Sequence, residues 1–216
     1  MCYYVSNSLT RKEMKDTFGV TYKGPDFEGS DFVNGFSFPQ TPIVMDEDPD
    51  SAILGEWGLI PPWANNRDLR KSTLNARLET LTEKSSYKDS VHNRCLVLVN
   101  GFYEWKWLDA RGKKKEKYFI HLENGNQPFA LGGIYNIWRD RETNEEVTSF
   151  SIVTSDANEL MAEIHNTKDR MPLVLSKRAE KAWLSDGPLE NFLFPSYNPD
   201  LVAINLDASS SQPTLF

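Results

Sequence analysis

Cysteine is nearly absent: only Cys2 and Cys95 occur among 216 residues. Two thiols so far apart make no disulfide framework, so a reducing compartment is expected. Long apolar runs are missing too. None approaches the roughly 18 residues a membrane helix needs. The N-terminus lacks the basic-then-apolar layout of a secretory signal. The expected address is cytoplasmic, with no membrane partner. Histidine is scarce, at positions 92, 121 and 165. These histidines and the two cysteines show neither CxxC nor HExxH spacing, so no metal site is expected. GxGxxG, Walker and GxSxG motifs are lacking as well, so no nucleotide cofactor is expected and no serine-hydrolase elbow is present. There is no basic excess: the net charge is −7. That balance counts against a protein that coats DNA broadly and leaves room for a local basic site.

What is present reads as a soluble domain large enough to bury a core without staples. No internal repeat or long linker appears, so residues 1–208 form the expected domain and 209–216 ("SSSQPTLF") a loosely held tail. "CYYVS" (2–6), "AILGEWGLI" (52–60), "CLVLVNGFYEWKWL" (95–108), "KYFIHLE" (117–123), "PFALGGIYNIWR" (128–139), "TSFSIVTS" (148–155) and "MPLVL" (171–175) read as strands. A capping box at Thr10–Glu13 opens a short helix that Gly19 closes. Asp156–Glu159 is expected to cap a helix ending near His165, and Ser176 to cap another through "KRAEKAWL". Consecutive hairpins with helices set apart predict an α+β single domain. Its mainly antiparallel sheet is expected to curl into a barrel-like core with peripheral helices.

Four positions stand out chemically. Cys2 becomes the N-terminus if Met1 is removed, and then carries an α-amine and a thiol on adjacent carbons. Glu104 sits between Tyr103 and Trp105 in an apolar strand, so it either points outward or is buried with a raised pKa. His165 ends a predicted helix, where the dipole favours imidazolium. Asn75, in "LNARLE", is weak by itself because Asn is frequent in loops. Two basic clusters accompany them. "WANNRDLRKSTLNAR" (63–77) sets Arg67, Arg70, Lys71 and Arg77 against Asp68 alone, and "RGKKKEK" (111–117) reads as a solvated hairpin tip.

Five blocks in order resemble the SRAP family, the SOS response-associated peptidases that include abasic-site shields. They are Cys2 after the initiator Met, "WGLIPPW" (57–63), "NARLET" (75–80), "GFYEWK" (101–106) and "SDANELMAEIHNTKDRMP" (155–172). The resemblance implies a partner, single-stranded DNA containing abasic sites, and a monomeric protein that needs no cofactor. It implies that Cys2 forms a thiazolidine with the abasic aldehyde, with latent lyase chemistry. Asn75 matches the residue that orients that cysteine. Glu104 matches the carboxylate that shuttles protons, and His165 the histidine near the sugar and its 3′ phosphate. Arg77 matches a backbone-binding arginine. Trp63 and the Phe38–Pro39 pair resemble a wedge that unstacks bases. Arg67, Arg70 and Lys71 lie close to Trp63 and could add phosphate contacts, although no family match names them.

The chain departs from the family in one respect. Many members begin Met-Cys-Gly-Arg, whereas Tyr3 and Tyr4 follow Cys2 here. The expected consequence is one lost phosphate contact. At their ordinary pKa values, about 8 for the amine and about 8.5 for the thiol, both nucleophiles would need only a slight shift. Two other readings compete. One is a cysteine peptidase with Cys2 as nucleophile and His165 as base, minimally removing its own Met1. The other is a non-covalent single-stranded DNA-binding protein.

Overall fold

The computed structural model describes residues 2–123 and 127–208. The expected tail, 209–216, lies outside the described residues. The strands are β1 (Tyr4–Ser6), β2 (Thr21–Tyr22), β3 (Val33–Asn34), β4 (Gln40–Met45), β5 (Ser51–Trp57), β6 (Asn75–Arg77) and β7 (Arg94–Val99). They continue with β8 (Gly101–Trp107), β9 (Lys115–Leu122), β10 (Phe129–Arg139), β11 (Glu146–Asp156), β12 (Arg170–Pro172), β13 (Val174–Leu175) and β14 (Leu201–Asn205). Among the described residues, three α-helices accompany them, α1 (Arg11–Glu13), which a π-helical stretch over Met14–Phe18 continues to Gly19, α2 (Glu159–Ile164) and α3 (Lys177–Leu184).

Five strands close a barrel. β4 pairs antiparallel with β5 and β7, β7 with β10, and β10 with β11. The ring shuts where β11 meets β5 in parallel, Phe150 opposite Trp57. A second, antiparallel sheet in the order β14–β9–β8–β1–β3 packs beside it. The expected α+β domain with a barrel-like, mainly antiparallel core is what forms. β7 reads as an unbroken apolar run because both its faces are covered. Cys95, Val97 and Val99 cluster with Ile43, Phe150 and Ile152, while Leu96 and Leu98 cluster with Trp183 of α3. Trp183 is fully buried, and its Nε1–H lies 3.1 Å from both the Cys95 and Gly133 carbonyl oxygens. Trp183→Ala is therefore expected to destabilise the fold by about 3–5 kcal/mol, read as a lower urea midpoint at unchanged slope.

Three boundaries differ from the sequence reading. The run 95–108 is two strands, not one. Asn100 breaks it and sends β7 to the barrel and β8 to the second sheet. At the break, a Cβ on Gly101 would come within 2.3 Å of the Phe119 ring, so the sheets meet where only glycine fits. The run 171–175 splits at Leu173, whose N–H bonds Val153 and whose carbonyl accepts from Gly132. The chain steps there from β11 to β10. The cap of α2 is Asn158, whose Oδ1 accepts from Met161 N–H at 3.0 Å. Asp156 is still strand, with its carboxylate 2.6 Å from Arg170 Nη1. The capping box at Thr10 and the Ser176 cap form as expected.

Candidate active site

Cys2 lies at the seam of the two sheets. β1 runs between β3 and β8, with Tyr4 opposite both Asn34 and Tyr103. That register sets the start of the chain beside Glu104, the next residue of β8. From the barrel side, β6 is laid parallel on β11, Asn75 opposite Ile152. Asn75 Nδ2 donates to the Cys2 carbonyl at 2.8 Å, and the Asn75 carbonyl accepts from Tyr87 Oη at 3.0 Å. Asn75 Oδ1 is buried and has no hydrogen-bond partner among the described residues.

Glu104 points inward, which decides between the two orientations its strand allowed. It is 6% exposed, and burial pushes its carboxyl up to about 7. The Cys2 thiol is fully buried. Burial first, and then the Glu104 charge, push it well above the ordinary thiol range. The expectation of a thiol needing only a slight shift is therefore corrected: at neutral pH Cys2 is held as the thiol. His165 also departs from expectation. Its ring is buried, and that burial lowers its pKa to about 4, outweighing the carbonyl end of the six-residue α2. The imidazole is neutral at pH 7. Its Nδ1 lies 2.9 Å from the Arg170 carbonyl and 3.2 Å from the Arg170 N–H. Both contacts turn Nδ1 toward the Arg170 backbone.

Glu104 and His165 line one open cavity of about 370 Å³, together with Tyr3, Tyr4, Trp105, Trp107, Lys115, Thr167 and Lys168. Arg170 lies within the block 155–172, and nothing in its local sequence singles it out. Its buried guanidinium grips Glu79 with both nitrogens (2.8 and 2.9 Å) and also reaches the Thr154 carbonyl at 2.7 Å. This fixes the turn that carries its own carbonyl to His165. A lone arginine before "MP" gives no sign of that role; only the meeting of β11, β12 and the Leu78–Thr80 turn reveals it. Among the described residues, no cluster of three or more His, Cys, Asp or Glu side chains could hold a metal.

A family model described as SOS response associated peptidase (SRAP) matches residues 1–204. The chain belongs to the SRAP family. The abasic site processing protein YoqW of Bacillus subtilis is 39% identical over 182 residues, 81% of this chain and 78% of the relative. The abasic site processing protein HMCES of Xenopus tropicalis is 31% identical over 196 residues, 74% of this chain and 56% of that protein. A crystal structure of a Bacteroides thetaiotaomicron protein, 31% identical, superposes with a TM-score of 0.83 over 98% of this chain and 95% of that one.

Of the positions matched to SRAP, Cys2, Asn75, Glu104 and His165 come together at the seam. Of these four, Glu104 and His165 line the cavity, while Cys2, fully buried, and Asn75 sit behind that lining. Arg77 and Lys71 are exposed. Trp63 is 47% exposed, and its Nε1 donates to the Ser85 carbonyl at 3.0 Å. Arg67 and Arg70 are not idle cations, contrary to their reading as extra phosphate contacts. Glu56 lies 2.7 Å from Arg70 and 3.8 Å from Arg67, and Glu145 lies 2.7 Å from Arg67. Arg70 also covers the Phe38 ring at 4.3 Å, so that face of the half-buried Phe38–Pro39 wedge is already occupied. Of the four cations in 63–77, Lys71 and Arg77 are the two exposed ones.

Proposed function

We propose that this protein traps abasic sites in single-stranded DNA by condensing the amine and thiol of Cys2 with the sugar aldehyde, after loss of Met1. The observation that carries this reading is how Cys2 is held. Asn75 grips its main-chain carbonyl at 2.8 Å rather than its sulfur. The thiol makes only a long contact, donating from Sγ to the Tyr4 carbonyl at 3.8 Å, so the side chain is anchored by no strong partner. The relatives' name, abasic site processing protein, supports the same reading.

The steps balance without an oxidant or a cofactor. The α-amine attacks C1′ of the ring-opened sugar, and the aldehyde oxygen leaves as water, giving the imine. The Cys2 sulfur then adds to the imine carbon, and the thiol proton ends on nitrogen in a five-membered thiazolidine. Glu104, with its carboxyl near 7, suits both jobs: as carboxylate it takes protons from ammonium and thiol, and as acid it helps water leave. The buried Asn75 Oδ1 is a preformed acceptor for the group it faces. Neutral His165 can accept a proton at the sugar. Arg77, Lys71 and Trp63 are positioned for phosphate and base contact on a single strand.

A cysteine peptidase needs a thiolate beside an imidazolium. Burial drives Cys2 and His165 the opposite way, toward neutral thiol and neutral imidazole, which favours the trap. The test is incubation with an abasic single-stranded oligonucleotide, then a denaturing gel and intact mass. The expected product survives heating, lacks Met1 and weighs protein plus DNA less one water. Complexes that dissociate on the gel would remove the trap and leave the non-covalent and peptidase readings.

A further inference from the structure

The lysine-rich tip that reads as a solvated turn is built into the wall of the cavity. Residues 108–114 link β8 to β9. Asp109 organises the turn by accepting from the backbone N–H of Arg111 at 2.9 Å and of Lys113 at 3.3 Å. Gly112, at φ 63, lies against the Trp107 indole so closely that a Cβ would come within 2.6 Å of it. Lys115 Nζ stands 4.8 Å from the centroid of the same indole. Both Lys115 and Trp107 line the cavity that holds Glu104 and His165.

Cations and rings then alternate along the sheet. The β8–β9 register sets Lys115 opposite Trp107 and Lys117 opposite Trp105. Lys117 Nζ lies 4.1 Å from the Phe32 centroid and 4.4 Å from that of Tyr103. Tyr4 continues the row, 5.0 Å from Phe32 and 4.9 Å from Trp105. Phe32 is 44% exposed, and Lys113, Lys114 and Lys115 are all exposed. A merely solvated tip would need no rings interleaved with its lysines. Alternating rings and cations suit one class of ligand well: single-stranded nucleic acid, whose bases stack while its phosphates pair with ammonium groups.

Resting on the abasic-DNA reading above, we infer that the β8–β9 hairpin is a second strand-binding arm. It holds DNA flanking the abasic nucleotide, with phosphates on Lys113, Lys114 and Lys115 and a base against the exposed edge of Phe32, whose ring Tyr4 and Lys117 brace. Arg77 sits on β6, paired to the barrel, so the two arms belong to different sheets and meet at Cys2.

The test is the salt dependence of binding to an intact labelled single strand, together with adduct formation on its abasic counterpart. In K113Q/K114Q/K115Q, three lost contacts should lower the log–log salt slope by about 2. Between 50 and 200 mM salt the parent should then lose roughly twentyfold more affinity than the variant. A control, K12Q/K15Q/K181Q, removes three exposed lysines elsewhere and should keep the parental slope. With sub-saturating abasic DNA the hairpin variant should form adduct more slowly than the parent, in step with its lost affinity. Phe32→Ala should weaken a strand with bases beside the lesion and leave one without flanking bases unaffected. A parental slope in the hairpin variant, or an equal fall in the control, overturns the arm whether or not the parent crosslinks. A lowered slope in a protein that never crosslinks abasic DNA would support the arm and remove the trap.

Discussion

Cys2→Ala reduces the heat-stable adduct with abasic DNA to background. The α-amine survives the substitution, so the imine still forms, but water reverses it. Without the sulfur nothing withdraws that imine into a ring. A borohydride reductant should therefore rescue a trapped species from the variant, where the parent needs no reductant. Cys95→Ala should crosslink like the parent, because Cys95 is sealed inside the barrel wall. An uncleaved N-terminal extension should abolish both adduct and imine, since it removes the free amine. The lingering imine in Cys2→Ala also exposes the sugar to β-elimination, so strand cleavage should appear in that variant. Adding His165→Ala should suppress it, because the neutral imidazole is the base at hand. If the ring only bonds the Arg170 carbonyl, the double variant melts lower yet cleaves as fast. A heat-stable adduct from Cys2→Ala itself would sink the thiazolidine chemistry.

Glu104→Gln slows adduct formation by about 10²–10⁴-fold while DNA affinity stays near parental. The parental rate should climb through pH 7. Below that value the carboxyl holds its proton and cannot take one from the ammonium. In the glutamine variant that limb should vanish, leaving the amine's own titration near ~8. Stability should move the opposite way. The folded carboxyl, raised to about 7, binds more protons than the unfolded one, so its contribution is intact below the ordinary carboxyl range and lost as pH rises through 7. Glu104→Gln removes that loss, on the order of 3 kcal/mol, and should melt higher than the parent at pH 8 but not at pH 4. His165 has the opposite sign: its neutral form favours folding above about 6.5, and that is lost as pH falls through 4. It is common to both proteins and cancels in the comparison. Equal melting curves at pH 8 together with unchanged rates would remove Glu104 from the mechanism.

Much of the site was legible before the fold. An aminothiol at position 2, a carboxylate inside an aromatic strand and a histidine closing a helix are local features of residue type and spacing. Their order along the chain carried the resemblance. Strand and helix identities were equally local, because alternation and capping boxes act over a few residues. Boundaries failed where tertiary contacts overrode propensity. β7 and β8 part at Asn100 because two sheets diverge there, and Asp156 stays in a strand because Arg170 holds its carboxylate.

By itself the sequence determined which chemistry was possible: which residues carry nucleophiles, which could move protons, and that the chain could bury a core without staples. The tertiary structure alone decided protonation states. Desolvation depends on what surrounds a group in three dimensions, and it makes Cys2 a thiol, brings Glu104 near neutrality and keeps His165 uncharged. It also decided which cations remain exposed. Glu56 engages Arg67 and Arg70 from a distant strand, while cross-strand register sets Lys115 and Lys117 beside Trp107 and Trp105. Charge counts in sequence are sums over neighbours in the chain. Fields and contacts are sums over neighbours in space, and closure of the barrel against the second sheet is what made the two differ.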